Sequence, residues 1–130
     1  MALVPTLTIN DTTTFSDAIN FSVTDSLTAA APAQALSLVN ATATGSASII
    51  VPATTSIVYL FVRHTGTTDG STGTAQLVDV EFTTDEAIAR LGAGEWLFMP
   101  ISHAAADVGV QLQVNHASVV QCEYAYWTKG

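Results

Sequence analysis

Apolar and polar residues alternate with a period of two along much of this chain, a pattern that specifies β-strands rather than helices. Val110-Gln-Leu-Gln-Val114 puts Val110, Leu112 and Val114 on one face, with Gln111, Gln113 and Asn115 toward solvent. Val78-Asp-Val-Glu-Phe82 repeats the pattern with Asp79 and Glu81 outward. Nearer the start, Ile19, Phe21 and Val23 alternate with Asn20, Ser22 and Thr24, and Leu7 and Ile9 alternate with Thr6, Thr8 and Asn10. All four segments are expected as half-buried strands. Ile57-Val-Tyr-Leu-Phe-Val62 is apolar on both faces and is expected as a central strand covered on each side. The run Val119 to Trp127 is expected as a long terminal strand with Val120, Cys122, Tyr124 and Tyr126 on one face.

Turn chemistry falls between these runs. Thr65 to Gly73 is a glycine-rich polar loop, and Asn10-Asp11 and Asn115-His116 stand where turns are expected. Short strands at roughly ten-residue spacing predict one domain, residues 1–130: an all-β, antiparallel β-sandwich, jelly-roll-like. The expected core includes Ile57, Tyr59, Phe61, Val80, Phe82, Leu112 and Val114. Residues 84–91 allow two readings. Thr83-Thr-Asp-Glu86 has capping-box spacing and Gly92 could cap a two-turn helix. Alternatively Ala87 to Leu91 is a strand, Gly92-Ala-Gly94 a tight turn and Glu95 to Ile101 the returning strand; this is preferred, because so short a helix gains little without a helical partner.

Composition narrows the function. Ser26 to Val62 contains no charged residue, and Arg63, Arg90 and Lys129 are the only lysine and arginine residues in 130. Pro32, Pro52 and recurrent Ser, Thr, Asn and Gln interrupt the uncharged stretch before it reaches the roughly 18 to 20 apolar residues of a membrane span. A formal charge of −8 opposes binding to phosphate backbones and anionic lipid, so neither nucleic acid nor membrane is an expected partner. Cys122 is the single cysteine, which excludes an intrachain disulfide and suggests a buried thiol. Met1 to Pro5 lacks the basic start and apolar run of a signal peptide, so synthesis and assembly in a cytoplasm are expected.

Few side chains group into a recognisable site. His64, His103 and His116 are far apart and show no metal-ligand spacing, so each is expected to make one structural hydrogen bond. Asp69-Gly70 and Asp85-Glu86 carry oxygen ligands without the alternating pattern of a calcium loop. No Gly-x-Ser-x-Gly elbow or phosphate-binding loop occurs, and Asp79 with Glu81 read as a solvated pair. Asn10, Asn20 and Asn40 begin sequon matches of the kind Ser/Thr-rich chains produce by chance. No catalytic residue, cofactor or metal is therefore assigned. The aromatics say more. Trp96 and Phe98 alternate within one strand signal, and Tyr124, Tyr126 and Trp127 crowd the end. Trp96 and Phe98 are expected to fill the core and Trp127 to close a sheet edge or subunit contact; the alternative is a sugar-stacking platform.

Tyr59-Leu-Phe-Val-Arg-His-Thr-Gly-Thr67, Ile88-Ala-Arg-Leu-Gly-Ala-Gly-Glu-Trp-Leu-Phe-Met-Pro100 and Glu123-Tyr-Ala-Tyr-Trp127 together resemble small virion structural proteins of tailed bacteriophages, cyanophage-like ones in particular. The likeness covers the second half of the chain and, more loosely, Pro5 to Asp11. The Gly-Glu turn before an aromatic strand is also similar to the cupin jelly roll, but the two histidines one residue apart that hold the cupin metal are missing. The resemblance implies a capsid decoration (cement) protein on the virion surface, assembled in the host cytoplasm, trimeric, with the major capsid protein as partner. A tail or fibre component comes second. Residues 1–5 are read as an arm able to order on a neighbour, and Leu3, Val4 and Trp127 as interface residues.

Overall fold

The computed structural model describes residues 2–11, 19–24, 27–28, 37–42, 47–54, 56–102 and 108–128. Every regular element among them is a strand: β1 Ala2–Leu3, β2 Thr6–Asp11, β3 Ile19–Thr24, β4 Leu27–Thr28, β5 Ser37–Ala41, β6 Ser48–Val51, β7 Val58–His64, β8 Val78–Phe82, β9 Ala87–Leu91, β10 Trp96–Ile101, β11 Val110–Gln113 and β12 Val120–Thr128. Eight of these form two four-stranded antiparallel sheets, β10-β7-β12-β5 and β6-β11-β8-β9. Inward residues of both sheets join one buried cluster, so the all-β antiparallel sandwich expected from the alternation is the fold. Its pairings are nested: β5 lies beside β12, β6 beside β11, β7 beside β10 and β8 beside β9, as though one long hairpin had been rolled up. Pairings of β7 with β12 and β8 with β11 close the roll into two sheets.

Residues 84–91 hold no helix. Ala87–Leu91 is an edge strand joined to β8 by a tight loop in which Phe82 N–H donates to Glu86 O at 2.9 Å and Asp85 N–H to Phe82 O at 2.9 Å. Asp85 takes the left-handed φ of 70° that this loop requires, a conformation Asp tolerates better than most side chains. The turn between β9 and β10 uses Gly94 at φ 81°, as glycine there predicts.

The inward set corrects the expected core in part. Val80, Leu112 and Val114 are fully buried. In β7, however, Val58, Leu60, Val62 and His64 point inward, while Tyr59 and Phe61 lie half-buried on the opposite face and Ile57 is exposed. Phe82 is only partly buried, against the edge of the core. Since β7 is apolar on both faces, hydrophobicity alone could not assign its parity. Asn10 and Asp11, expected in a turn, are the last residues of β2; Asn115 and His116 do lie in the bend between β11 and β12.

Two short ribbons stand outside the two sheets. Ala2–Leu3 pairs with Leu27–Thr28, so part of the 1–5 segment is in strand pairing within its own chain. β2 pairs with β3 and the two pack chiefly on each other. Leu7, Ile9 and Val23 were expected to be half-buried but are 51, 46 and 51 % exposed, because the hairpin lies on neither sheet. The opposite face carries hydroxyls that bond across the strands, Thr6 to Thr24 at 2.9 Å and Thr8 to Ser22 at 3.3 Å.

Candidate interaction surfaces

The outer face of β10-β7-β12-β5 is built by strand register. Trp96 stands opposite Arg63, Phe98 opposite Phe61 and Pro100 opposite Tyr59. Across β7, Arg63 faces Glu123, Phe61 faces Ala125 and Tyr59 faces Trp127. Side chains opposite each other across a ladder share a face. The result is three rows: Trp96, Arg63 and Glu123; then Phe98, Phe61 and Ala125; then Pro100, Tyr59 and Trp127. Phe98 holds the aromatic cluster together, with its ring centroid 6.0 Å from Tyr59 and 6.2 Å, edge-on, from Trp127. Such pairs contribute about 0.5–1.5 kcal/mol beyond area burial. Trp96 is 62 % exposed.

Trp96 and Phe98 therefore do not fill the core. Leu97 between them turns toward it, and the strand's odd-even parity forces its two aromatic neighbours outward. The one ion pair on this face, Arg63 Nη1 to Glu123 Oε2 at 3.4 Å, is internally neutral. An apolar, aromatic surface with an arginine at its rim has the composition of protein interfaces, which are enriched in Trp, Tyr, Phe and Arg. It also has the chemistry of a saccharide platform. Of the residues read as interface from sequence, Trp127 belongs to this cluster and Val4 is exposed elsewhere; Leu3 lies in β1.

The outer face of β6-β11-β8-β9 is chemically different. Asp79, Glu81 and Gln111 were expected in solvent but are buried within a hydrogen-bonded network. Arg90 donates to both carboxylate oxygens of Asp79, Nε to Oδ1 at 2.5 Å and Nη2 to Oδ2 at 3.0 Å, and Asn115 adds a bond of 2.9 Å to Oδ2. Gln111 Nε2 donates to Glu81 at 2.8 Å and to Asp85 at 3.2 Å. Partners are what make burial of carboxylates tolerable. Alternation located these groups on the outer face but could not show that they would be used against one another.

At one end of the sandwich, the Thr65 to Gln76 loop is fixed from several sides. His64 is buried and makes two hydrogen bonds rather than one: Gly66 N–H donates to Nδ1 at 2.9 Å, which leaves the proton on Nε2 to bond Gln76 O at 2.8 Å. His116 makes the single bond expected, accepting from Ser118 N–H at 3.2 Å; His103 lies outside the described residues. Thr65 bonds Gln121 O at 2.8 Å, and Asp69 accepts from Ser71 N–H at 2.9 Å and Thr72 N–H at 2.6 Å. Those backbone donors hold the Asp69 carboxyl down at about 2, from 3.8 in the absence of partners. Its carboxylate is thus fully engaged above pH 4, and its contribution to loop order is lost as pH falls from 3.8 toward about 2. Amide exchange should show the Ser71 and Thr72 protons losing protection over that window, and in Asp69→Asn they should be less protected already at neutral pH.

Among the described residues, no group of three or more His, Cys, Asp or Glu side chains is placed to hold a metal. A small cavity among the described residues, lined by Val51, Val58, Phe82, Ile101 and Val110, has room for about one water. Cys122 is fully buried, and burial pushes its thiol up to about 12. The reactive thiolate is then scarce at pH 8. Ellman's reagent should label the native protein negligibly and one thiol per chain after denaturation.

No protein-family model matches the chain, and no significant match was found among curated proteins or solved structures.

Proposed function

We propose that this chain is a bacteriophage virion structural protein, a capsid decoration or cement protein that bridges capsid subunits and works by surface contact without catalytic turnover. The observation that carries the reading is the aromatic outer face of β10-β7-β12-β5, with Trp96 unburied in the isolated chain. Monomers seldom leave contiguous aromatic surface open unless it meets a partner. The strand order supports it. Numbered along the chain, the sandwich strands read 1-8-3-6 and 2-7-4-5, an order that we read as a jelly roll, the architecture of many viral capsid and lectin domains. The phage-like motifs from Tyr59 to Thr67 and Ile88 to Pro100 supply the aromatic strands of this face.

In this reading the copies assemble as a trimer at local threefold positions of the head and contact the major capsid protein. Neither nucleic acid nor membrane is a partner, given the charge of −8. Particles lacking the protein should release their DNA at a lower temperature than complete ones. Deleting residues 2–5 should weaken attachment to heads more than it destabilises the isolated domain. Equal heat resistance with and without the protein, or immunogold labelling confined to tails, would move the assignment to a tail or fibre component. Trp96 favours one second reading, a carbohydrate-binding sandwich, for which an indole open to solvent beside Arg63 and Glu123 is suited to stack a neutral sugar and bond its hydroxyls. Titration with oligosaccharides, followed by Trp fluorescence, separates the two.

A further inference from the structure

Asp69-Gly70 is the sole Asp-Gly pair of the chain, and no Asn-Gly pair occurs in it. Asp-Gly pairs isomerise more readily than other aspartyl sequences, because the amide nitrogen after the aspartate attacks the side-chain carboxyl carbon and glycine has no side chain to hinder it. The loop needs both residues. Gly70 holds a φ of 92°, which side chains resist, and Asp69 is the acceptor around which Ser71 and Thr72 turn. A structural requirement thus places a reactive pair at an exposed position.

Both reacting groups are held by the surrounding loop. Asp69 Oδ1 accepts from Ser71 N–H at 2.9 Å and Thr72 N–H at 2.6 Å, and Oδ2 accepts from the Thr72 hydroxyl at 3.0 Å. The reacting nitrogen is engaged elsewhere: Gly70 N–H donates to Thr67 Oγ1 at 3.0 Å. The Thr65 hydroxyl gives its one hydrogen to Gln121 O at 2.8 Å, so the 2.9 Å contact between Thr65 and Thr67 is carried by the Thr67 hydrogen. A one-way relay therefore runs from Gly70 through Thr67 and Thr65 to the main chain of β12. We propose that Asp69-Gly70 is a latent isoaspartate-forming site, and that this relay together with the Ser71 and Thr72 donors keeps it closed in the native fold.

The reaction needs only water. Gly70 nitrogen loses its proton and bonds to Asp69 Cγ, the hydroxyl of the carboxyl group leaves as water, and a five-membered imide results. Water then opens the imide; attack at the former main-chain carbonyl leaves the chain running through the side-chain carbon, an isoaspartate of unchanged mass. To start, the carboxyl must turn away from Ser71 and Thr72, and Gly70 N–H must leave Thr67. Only the neutral carboxyl releases its hydroxyl readily, and holding the group at about 2 rather than 3.8 makes that form about 60-fold scarcer at pH 5. The product adds one methylene to the main chain, so the turn around Asp69 does not re-form on it.

The test is to keep the full chain warm at about pH 5, native in one arm and in guanidinium in the other, and to count isoaspartate with time. Cleavage after Arg63 and Arg90 releases one peptide holding Asp69, Asp79 and Asp85, and electron-transfer fragmentation tells which of them has isomerised. The denatured chain should isomerise at Asp69 tens of times faster than the native one. Thr67→Val, which removes the acceptor of Gly70 N–H, and separately Thr72→Val, which removes a donor to the carboxylate, should each speed the native reaction severalfold while melting close to wild type. Should one variant fail to fold, the other decides. Equal rates in the native and denatured arms overturn the proposal, as does a folded variant that isomerises no faster than wild type or a denatured chain that leaves Asp69 unchanged.

Discussion

Leu112→Ala and Leu60→Ala should each lower the free energy of unfolding by about 2–5 kcal/mol, the range for truncating a large buried aliphatic side chain. Both leucines are fully buried, one in each sheet, in the same cluster. Leu112 stands opposite Val80 on β8, and Leu60 lies between Met99 and Tyr126 on the neighbouring strands. The loss combines the transfer of the side chain and the cavity left between sheets that cannot fully close on it. Phe61→Ala is the control for parity. Although phenylalanine is the larger residue, Phe61 lies half-buried on the outer face, and its truncation should cost less than that of Leu60 in the monomer. Urea denaturation of the three variants decides the matter; a Phe61→Ala loss exceeding that of Leu60→Ala would place the wrong face of β7 in the core.

Gly109→Ala should be comparably severe, for a reason invisible in the sequence. A Cβ on Gly109 would collide with the backbone carbonyl of Val51 and lie 3.0 Å from the Ala53 nitrogen. Backbone cannot rotate away as a side chain can. The position is also tied down on its other side, where Gly109 N–H donates to Thr83 Oγ1 at 3.0 Å and Thr83 N–H to Gly109 O at 3.0 Å. Relief would require β6 and β11 to separate at the bulge beside Val110, at a cost of about 3 kcal/mol or more, the upper end of overpacking penalties. Thermal melts should show Gly109→Ala far below wild type. Gly73→Ala, where a Cβ meets nothing, should be close to neutral.

Some of this was legible from residue order because it depends only on local periodicity. Alternation in Val78 to Phe82 and Val110 to Val114 placed Val80, Leu112 and Val114 in the core, and the strand, turn and strand from Ala87 to Ile101 is preferred over a two-turn helix because so short a helix would have no helical partner. The terminal strand likewise turned Val120, Cys122 and Tyr126 inward as its spacing indicated. The aromatic face was misplaced where both parities of a strand are apolar. One signal could have found it: in Val58–His64 the exposed Arg63 shares parity with Tyr59 and Phe61, and a charged residue is a better marker of the outer face than an aromatic is of the inner one.

The sequence by itself determined that the chain is made of antiparallel strands, which inward residues several of them carry, and that it has a surface poor in cations. Those properties depend on spacing two residues apart and on composition, both of which are present before folding. Only the tertiary structure decided the nested strand order, the grouping of Trp96, Phe98 and Trp127 on one outer face, the burial of Asp79, Glu81 and Gln111 in a shared network, and the exclusion of β2 and β3 from the sandwich. Each of these is a relation between residues tens of positions apart. It is set by which strands find each other across the sheets, and no local period in the chain encodes that choice.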